Sequence, residues 1–343
     1  MTTLAATESR SIWSTLREAV RGSTADFTEI PIGRAVVLLA VPMVLEMLME
    51  SVFAVADVFF VGRLGADAVA TVGITESLMT IIYALAVGLS VGAAATVARR
   101  IGERDADGAA RAAAQSILFA LGIGIIVGVT GILFAPEMLR LMGASEDVVR
   151  TGSWFARVMI GASGGVTLLF LINAVFRGAG DATVAMRSLW LANLVNVVLD
   201  PCLIFGLGPF PELGVTGAAI GTAIGRSVGV AYQFRALASA NGRLRIERRH
   251  LHLDRRLMLH LVKVSLGGVG QFLIATASWL GLVRILTPFG AAALAGYTIA
   301  LTLARGFEHG PLGVFLAITL AESLLAVVGL LVFRRGAWKR QLA

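Results

Sequence analysis

Three acids stand in one apolar stretch near the start of the chain: Glu46, Glu50 and Asp57, within a run (35–62) that ends VADVFFVG. At about 100° per residue, Glu50 lies roughly 40° and Asp57 roughly 20° from Glu46, so the three share one face of a helix. A second polar stripe occurs in SLWLANLVNVVLDPCLIFG (188–206), where Asn193, Asn196 and Asp200 fall within an arc of roughly 60°. A charged Asp at the centre of a membrane helix costs about 2.5 to 3.5 kcal/mol on insertion scales, so such acids face a bundle interior or an aqueous cavity and mark ion or substrate paths. A carboxyl enclosed by apolar helices holds a proton more readily than one in water, which brings proton exchange toward neutral pH. Pro201 follows Asp200 directly; it removes a backbone donor and frees the carbonyl near Val197, which predicts a broken helix. Proton uptake coupled to a bend there, or at Pro42, is the chemistry of a proton-driven switch. Plainer roles compete: Glu46 and Glu50 could reach for water, and the Asn193, Asn196, Asp200 stripe could be polar glue between helices. Glu76, Arg226, Arg284 and Glu322 also lie in apolar runs and call for partners of opposite charge, but spacing does not assign the pairs.

The elements that must position these residues are long and apolar. Hydrophobic residues make up 57% of the 343-residue chain and charged ones 15%, with a mean hydropathy of +0.83, which excludes an ordinary soluble domain. Runs long enough to span a bilayer lie at 35–62, 68–98, 112–135, 154–176, 184–206, 214–238, 264–287 and 311–333, with a shorter ninth at 291–304. Continuous runs imply helices; a barrel shows short alternating strands instead. The fold class is therefore all-α, a polytopic membrane protein.

Seventeen Lys and Arg residues fall in the segments that are inner if the N-terminus is cytoplasmic, against four in the outer ones, Arg63, Arg140, Arg150 and Arg157. That bias orients the first six spans with the N-terminus in the cytoplasm. It also accounts for the net charge of +7 without nucleic acid as a partner, and the basic loop NGRLRIERRHLHLDRR (241–256) reads as a contact with anionic lipid. The chain divides into a cytoplasmic tail (1–30), an N-lobe of six transmembrane helices (31–240), a basic cytoplasmic loop (241–262) and an incomplete C-lobe of two to three helices (263–343). Ser11–Val20 could form a short amphipathic surface helix within a tail otherwise expected to be disordered. No cleaved secretion signal is visible in the first 30 residues. The lone Cys202 reads as a packing residue, and His250, His252, His260 and His309 show no metal-ligand pattern. Glycines spaced by four, such as Gly124 and Gly128 or Gly221, Gly225 and Gly229, read as helix-packing seams. A shift of 225 positions lays Gly65-Ala-Asp-Ala-Val-Ala on Gly290-Ala-Ala-Ala-Leu-Ala, a faint internal repeat whose second copy lacks the acids, Asp57 falling on Leu282 and Glu46 on Gln271.

Two stretches carry a family resemblance: ADVFFVGRLGADAVATVGI (56–74), and NAVFRGAGDATVAM followed by NVVLDPCLIFG (173–206). They resemble the multidrug and toxic compound extrusion (MATE) family of cation-coupled exporters, in the branch related to DNA-damage-inducible proteins. The similarity runs through 30–303 and again through PLGVFLAITLAESLLAVVGLLVFRRGAWK (311–339). The resemblance implies two six-helix lobes around a V-shaped cleft, with alternating access that expels organic cations or other amphiphiles in exchange for protons, or alternatively sodium. It implies cation-coupling roles for Asp57, for Asp200 with Asn196, and for Asn173; the polar residues in the apolar runs themselves point to cavity-lining roles for Glu46, Glu50, Asn193, Glu76 and Arg226. It further implies a monomer in the plasma (inner) membrane, in contact with lipid and a small amphiphilic or cationic substrate, with no enzymatic activity and no cofactor beyond the coupling ion. The departure is that ALAGYTIALTLARG (293–306) passes almost directly into what resembles the family's last helix, so part of the second lobe is missing. Three other readings stand beside this one: a remnant that does not transport, a lipid-linked sugar flippase, and an intramembrane aspartyl protease suggested by Gly178-Ala179-Gly180-Asp181. For the flippase too few cavity arginines are present, and for the protease no Tyr-Asp pair supplies the second carboxyl.

Overall fold

The computed structural model describes residues 12–23, 25–27, 29–239 and 243–286, the side chains of Ile12, of Leu273 and of 275–286 excepted. The chain forms two compact units, Met1–Phe272 and Leu273–Ala343, and nearly all described residues belong to the first. The expected spans at 291–304 and 311–333, Glu322, His309 and the side chain of Arg284 lie outside the described residues.

The described residues are helical, without strands. The helices are α1 (Ile12–Arg21), α2 (Ile32–Gly62), α3 (Ala66–Gly102), α4 (Ala106–Leu141), α5 (Glu146–Gly161), α6 (Ser163–Gly178), α7 (Ala182–Phe205), α8 (Val215–Ala238) and α9 (Arg255–Leu286). Among the described residues, five segments are long and apolar enough to cross a membrane: α2, α3, α4, the α5–α6 pair taken as one, and α7. The sixth expected span becomes α8, whose glycines and Arg226 dilute its hydropathy but fit it to α7. Capping sets several starts. Asp105 accepts from the N–H of Gly108 at 2.8 Å at the head of α4, and Asp181 accepts from Val184 at 3.4 Å at the head of α7. Gly178-Ala179-Gly180-Asp181 is thus a turn and an N-cap, with Gly180 at φ +81°, where a side chain is disfavoured.

Three expectations are corrected. The helix at Pro201 is not broken: α7 runs unbroken to Phe205 and ends at Gly206 in the left-handed conformation. Only four residues follow Pro201, so a single lost hydrogen bond near the end does not stop the helix. Pro42 likewise sits inside continuous α2. Within the 1–30 segment, residues 12–21 form α1, docked by Ala19 (1% exposed), by a 2.8 Å Arg34–Glu18 ion pair and by Arg187 donating to the carbonyl of Arg21 at 2.7 Å. The basic loop is also ordered. A 3-10 turn at Arg248–Leu251 precedes α9, which starts at Arg255 rather than near 263 because Asp254 caps it, accepting from the N–H groups of Arg256 and Leu257. Buried His250 joins Asp107 at 2.9 Å, and the Gln115 amide donates to the carbonyl of His252 at 2.7 Å, fastening the segment to α4.

α7 and α8 form the most extensive helix pair, with α2 packed on α7, α3 on α6, and α4 on α5 and α6. The α7–α8 seam is made by Gly217, Gly221, Gly225 and Gly229, which face the Leu203 carbonyl, the Asp200 carboxylate, the Ala192 carbonyl and the Ser188 carbonyl respectively. A Cβ at Gly225 collides with the α7 backbone, whereas one at Gly102 meets open space. Gly225→Ala is therefore expected to lower stability by about 1 to 3 kcal/mol, read as a drop in the melting temperature of the detergent-solubilised protein, and Gly102→Ala to leave it unchanged.

Candidate functional site

The acids on α2 part company in the structure. Glu46 is 7% exposed and accepts from Asn173 Nδ2 at 3.1 Å and from Arg177 at 3.0 and 3.1 Å. Asn173 in turn accepts from Ser188 Oγ and Gln233 Nε2, each at 2.7 Å. This network joins α2, α6, α7 and α8 on the half of the lobe that contains Arg177. One helical turn along α2, Glu50 accepts from Asn193 Nδ2 at 2.9 Å and from Arg226 at 2.8 Å. Arg226, 5% exposed, also lies over the rings of Phe53 and Phe170 at 5.1 and 5.9 Å, so its charge is matched by a carboxylate and two aromatic faces.

Beyond this pair a cavity of about 420 Å³ opens between α2, α3, α5, α6 and α8. Glu50, Asp57, Glu76 and Arg226 supply its charged wall, and Phe53, Tyr83, Phe155, Met159 and Phe170 its apolar one. Asp57 faces this space together with Glu76. Three acids against one arginine leave the cavity negative when all are ionised.

Asp200 is fully buried. Its Oδ1 accepts from Asn196 Nδ2 at 2.9 Å, and the same amide donates to Thr222 Oγ1 at 3.0 Å. Thr222 reaches the cavity wall, so Asn196 stands one hydrogen bond behind it and Asp200 two. The carboxylate occupies the place that a side chain at Gly221 would take; the glycine seam creates its pocket. Asp200 Oδ2 and Asn196 Oδ1 have no hydrogen-bond partner among the described residues.

The structure therefore brings Asp57, Glu50, Glu76 and Arg226 onto one cavity, with Asp200 and Asn196 in the layer behind. It corrects the cavity-lining assignment of Glu46 and Asn193. Both are buried because their polar atoms are consumed by Arg177 and Asn173 in one case and by Glu50 in the other. Asn173 lies in the Glu46 network, away from Asp57 and Asp200. Sequence reasoning missed Thr222, Gln233 and Arg177. Arg177 counts as a loop charge by position, yet its spacing of four from Asn173 places the two on one face of α6, and that is the available signal. Gln233 is a lone amide in an apolar helix, and Thr222 carries no signal.

Comparisons with known proteins point to membrane transporters. The MatE family model matches residues 42–202. A probable multidrug resistance protein of Bacillus subtilis, YoeA, is 25% identical over 85% of this chain and 65% of its own length. An FAD transporter of Shewanella oneidensis is 30% identical over 56% of this chain and 42% of its own length. Among solved structures, a multidrug resistance MATE family transporter of the MOP superfamily in the outward-facing conformation superposes with a TM-score of 0.71 at 28% identity, covering 84% of this chain and 61% of that one. A MOP superfamily transporter from Pyrococcus furiosus, described with a binding pocket of reverse polarity, gives the same TM-score and identity. The chain thus spans between 42% and 65% of the length of these relatives. Matched to the MatE family from the Pro42 turn of α2 to the Pro201 turn of α7, and superposable on solved transporters of that kind, the chain is a multi-pass membrane protein similar to MatE family members.

Proposed function

We propose that this lobe is the coupling and substrate-binding half of a proton-driven antiporter that exports organic cations or other amphiphiles across the plasma membrane, with its N-terminus in the cytoplasm. The observation that carries the reading is the cavity itself: three carboxylates on an aromatic wall, with the one arginine already paired to Glu50. A flat cation is attracted by the acids and stacks on the rings. An anionic aromatic substrate, of the kind named for the Shewanella relative, is disfavoured because Arg226 has no charge to spare.

Coupling follows from Asp200. A proton taken on Oδ2 removes a charge that no cation among the described residues offsets and makes that oxygen a donor, while Oδ1 keeps its bond to Asn196. Asp57 on the wall and Asp200 in the layer behind Thr222 are like charges around one cavity, so a substrate cation near Asp57 shifts the proton balance of the pair. The choice between protons and sodium is tested with the reconstituted chain: efflux of ethidium should follow an imposed pH gradient without sodium and ignore a sodium gradient at constant pH. Efflux that follows sodium alone rejects the reading.

Orientation has its own test. In a Cys202→Ser background, a cysteine at Pro209, in the exposed α7–α8 turn, should be labelled by an impermeant thiol reagent in intact cells. A cysteine at Arg245 should be labelled only after permeabilisation. The reverse pattern inverts the lobe.

A further inference from the structure

A second cavity, of about 620 Å³, opens between the end of α3, the start of α4 and the start of α9. It shares no residue with the acidic cavity. Arg99 and Arg100 of α3, Arg111 of α4, and Arg256 and His260 of α9 stand on its wall. The one carboxylate there, Asp254, is already occupied in capping α9, accepting from backbone N–H groups at 2.9 and 3.1 Å. Arg99 and Arg100 share Glu103 at 2.8 and 3.2 Å, Arg100 also meets Asp105 at 3.3 Å, and Arg111 approaches Asp107 at 3.6 Å. The side chains of these three acids are 40%, 35% and 44% exposed, so water screens the pairs and they yield readily to a better anion. Arg256 makes no ion pair among the described residues.

The polarity of this wall is graded. On α3, Ala95 lies a turn deeper in the lobe than Arg99; on α9, Val264 lies about 12 Å deeper than Arg256 at the rise of an α-helix. Both walls pass from cationic to apolar in the same direction, with Leu257 one residue past Arg256 and His260 between it and Val264. The cleft also closes in that direction. Gly92 abuts Ser265 and Gly88 abuts Val269 so tightly that a Cβ on either glycine collides with α9. The result is a wedge with a cationic mouth, an apolar throat and a closed floor, at the membrane boundary of the lobe.

We infer that this cleft binds an acidic phospholipid of the leaflet on that side, its phosphate held by Arg100, Arg111 and Arg256 and the first part of an acyl chain lying along Ala95, Leu257 and Val264. Guanidinium groups suit a phosphate geometrically, and basic pockets between helices at the membrane boundary suit anionic headgroups. A free phosphate satisfies the mouth but leaves the throat unused, so the lipid is the better fit.

The test uses the full-length purified protein and native mass spectrometry after stepwise delipidation in detergent, with phosphatidylglycerol and phosphatidylcholine offered in equal amounts. The wild type should retain phosphatidylglycerol in preference to phosphatidylcholine, and added inorganic phosphate should not displace it. Arg111→Gln with Arg256→Gln should lower retention roughly tenfold or more, while ethidium binding at the acidic cavity stays unchanged. Equal retention of the two lipids, equal retention by the double variant, or displacement by inorganic phosphate overturns the proposal, the last by pointing to a free-anion site. Should the double variant not fold, the lipid preference of the wild type and the phosphate competition still decide.

Discussion

Asp200→Asn in the reconstituted chain is expected to bring pH-driven efflux of ethidium down to the level of protein-free vesicles, with insertion and folding intact. Asparagine preserves the volume in the Gly221 recess and still offers an oxygen to Asn196 Nδ2, so the α7–α8 seam is not disturbed. What it removes is the ability to gain and lose a proton at a fully buried position. Asp57→Asn should have the same outcome for a different reason: it removes the acid that stands on the cavity wall itself, where the substrate cation binds. Binding of ethidium should weaken in Asp57→Asn, which alters the wall, and survive in Asp200→Asn, which does not. Full pH-driven efflux in both variants contradicts the coupling proposed for these carboxyls.

The second large effect is on stability. Glu46→Ala leaves Arg177 and Asn173 without their acceptor in a site where Glu46 is 7% exposed, and truncating one partner of a buried pair costs about 3 to 5 kcal/mol. With the Arg177 side chain 25% exposed, water recovers part of that loss, and about 3 kcal/mol is expected. Arg177→Ala should cost a similar amount. Glu46→Leu combined with Arg177→Met should be far milder, since matched apolar groups carry no uncompensated charge. Denaturant titration of the solubilised protein reads all three. Losses for the two alanine variants that simply add in the double alanine variant, within about 0.5 kcal/mol, would show that the pair is not coupled.

The contrast between these two effects shows what the sequence carries and what it hides. The cost of burying charge singled out Glu46, Glu50, Asp57 and Asp200, and helical periodicity placed the first three on one face; both are properties of a single helix. The same face nevertheless serves two purposes, because different neighbours meet it along its length: Arg177 of α6 at Glu46, Arg226 of α8 at Glu50, and an open cavity at Asp57. Partner choice depends on tertiary packing, which periodicity does not report. The long helices were legible from apolar run length, but their ends extend beyond the hydrocarbon-spanning core. Thus α5 begins at Glu146 rather than 154 because Ser145 caps it. The glycines at 221, 225 and 229 read as a packing seam, and they are one, but that Gly221 also makes room for the Asp200 carboxylate depends on α7 facing α8 in this register. The Pro201 rule failed for a local reason, since a proline so near a C-terminus disturbs little.

Substrate and proton compete for the carboxyls around Asp57 and Asp200, and proton release on binding reports that competition. Ethidium added to the purified chain in weakly buffered solution near neutral pH should release protons in proportion to site occupancy. Its affinity should rise with pH, and the release should vanish in Asp57→Asn with Asp200→Asn. Binding without proton release in the wild type, or undiminished release from the double variant, contradicts the account.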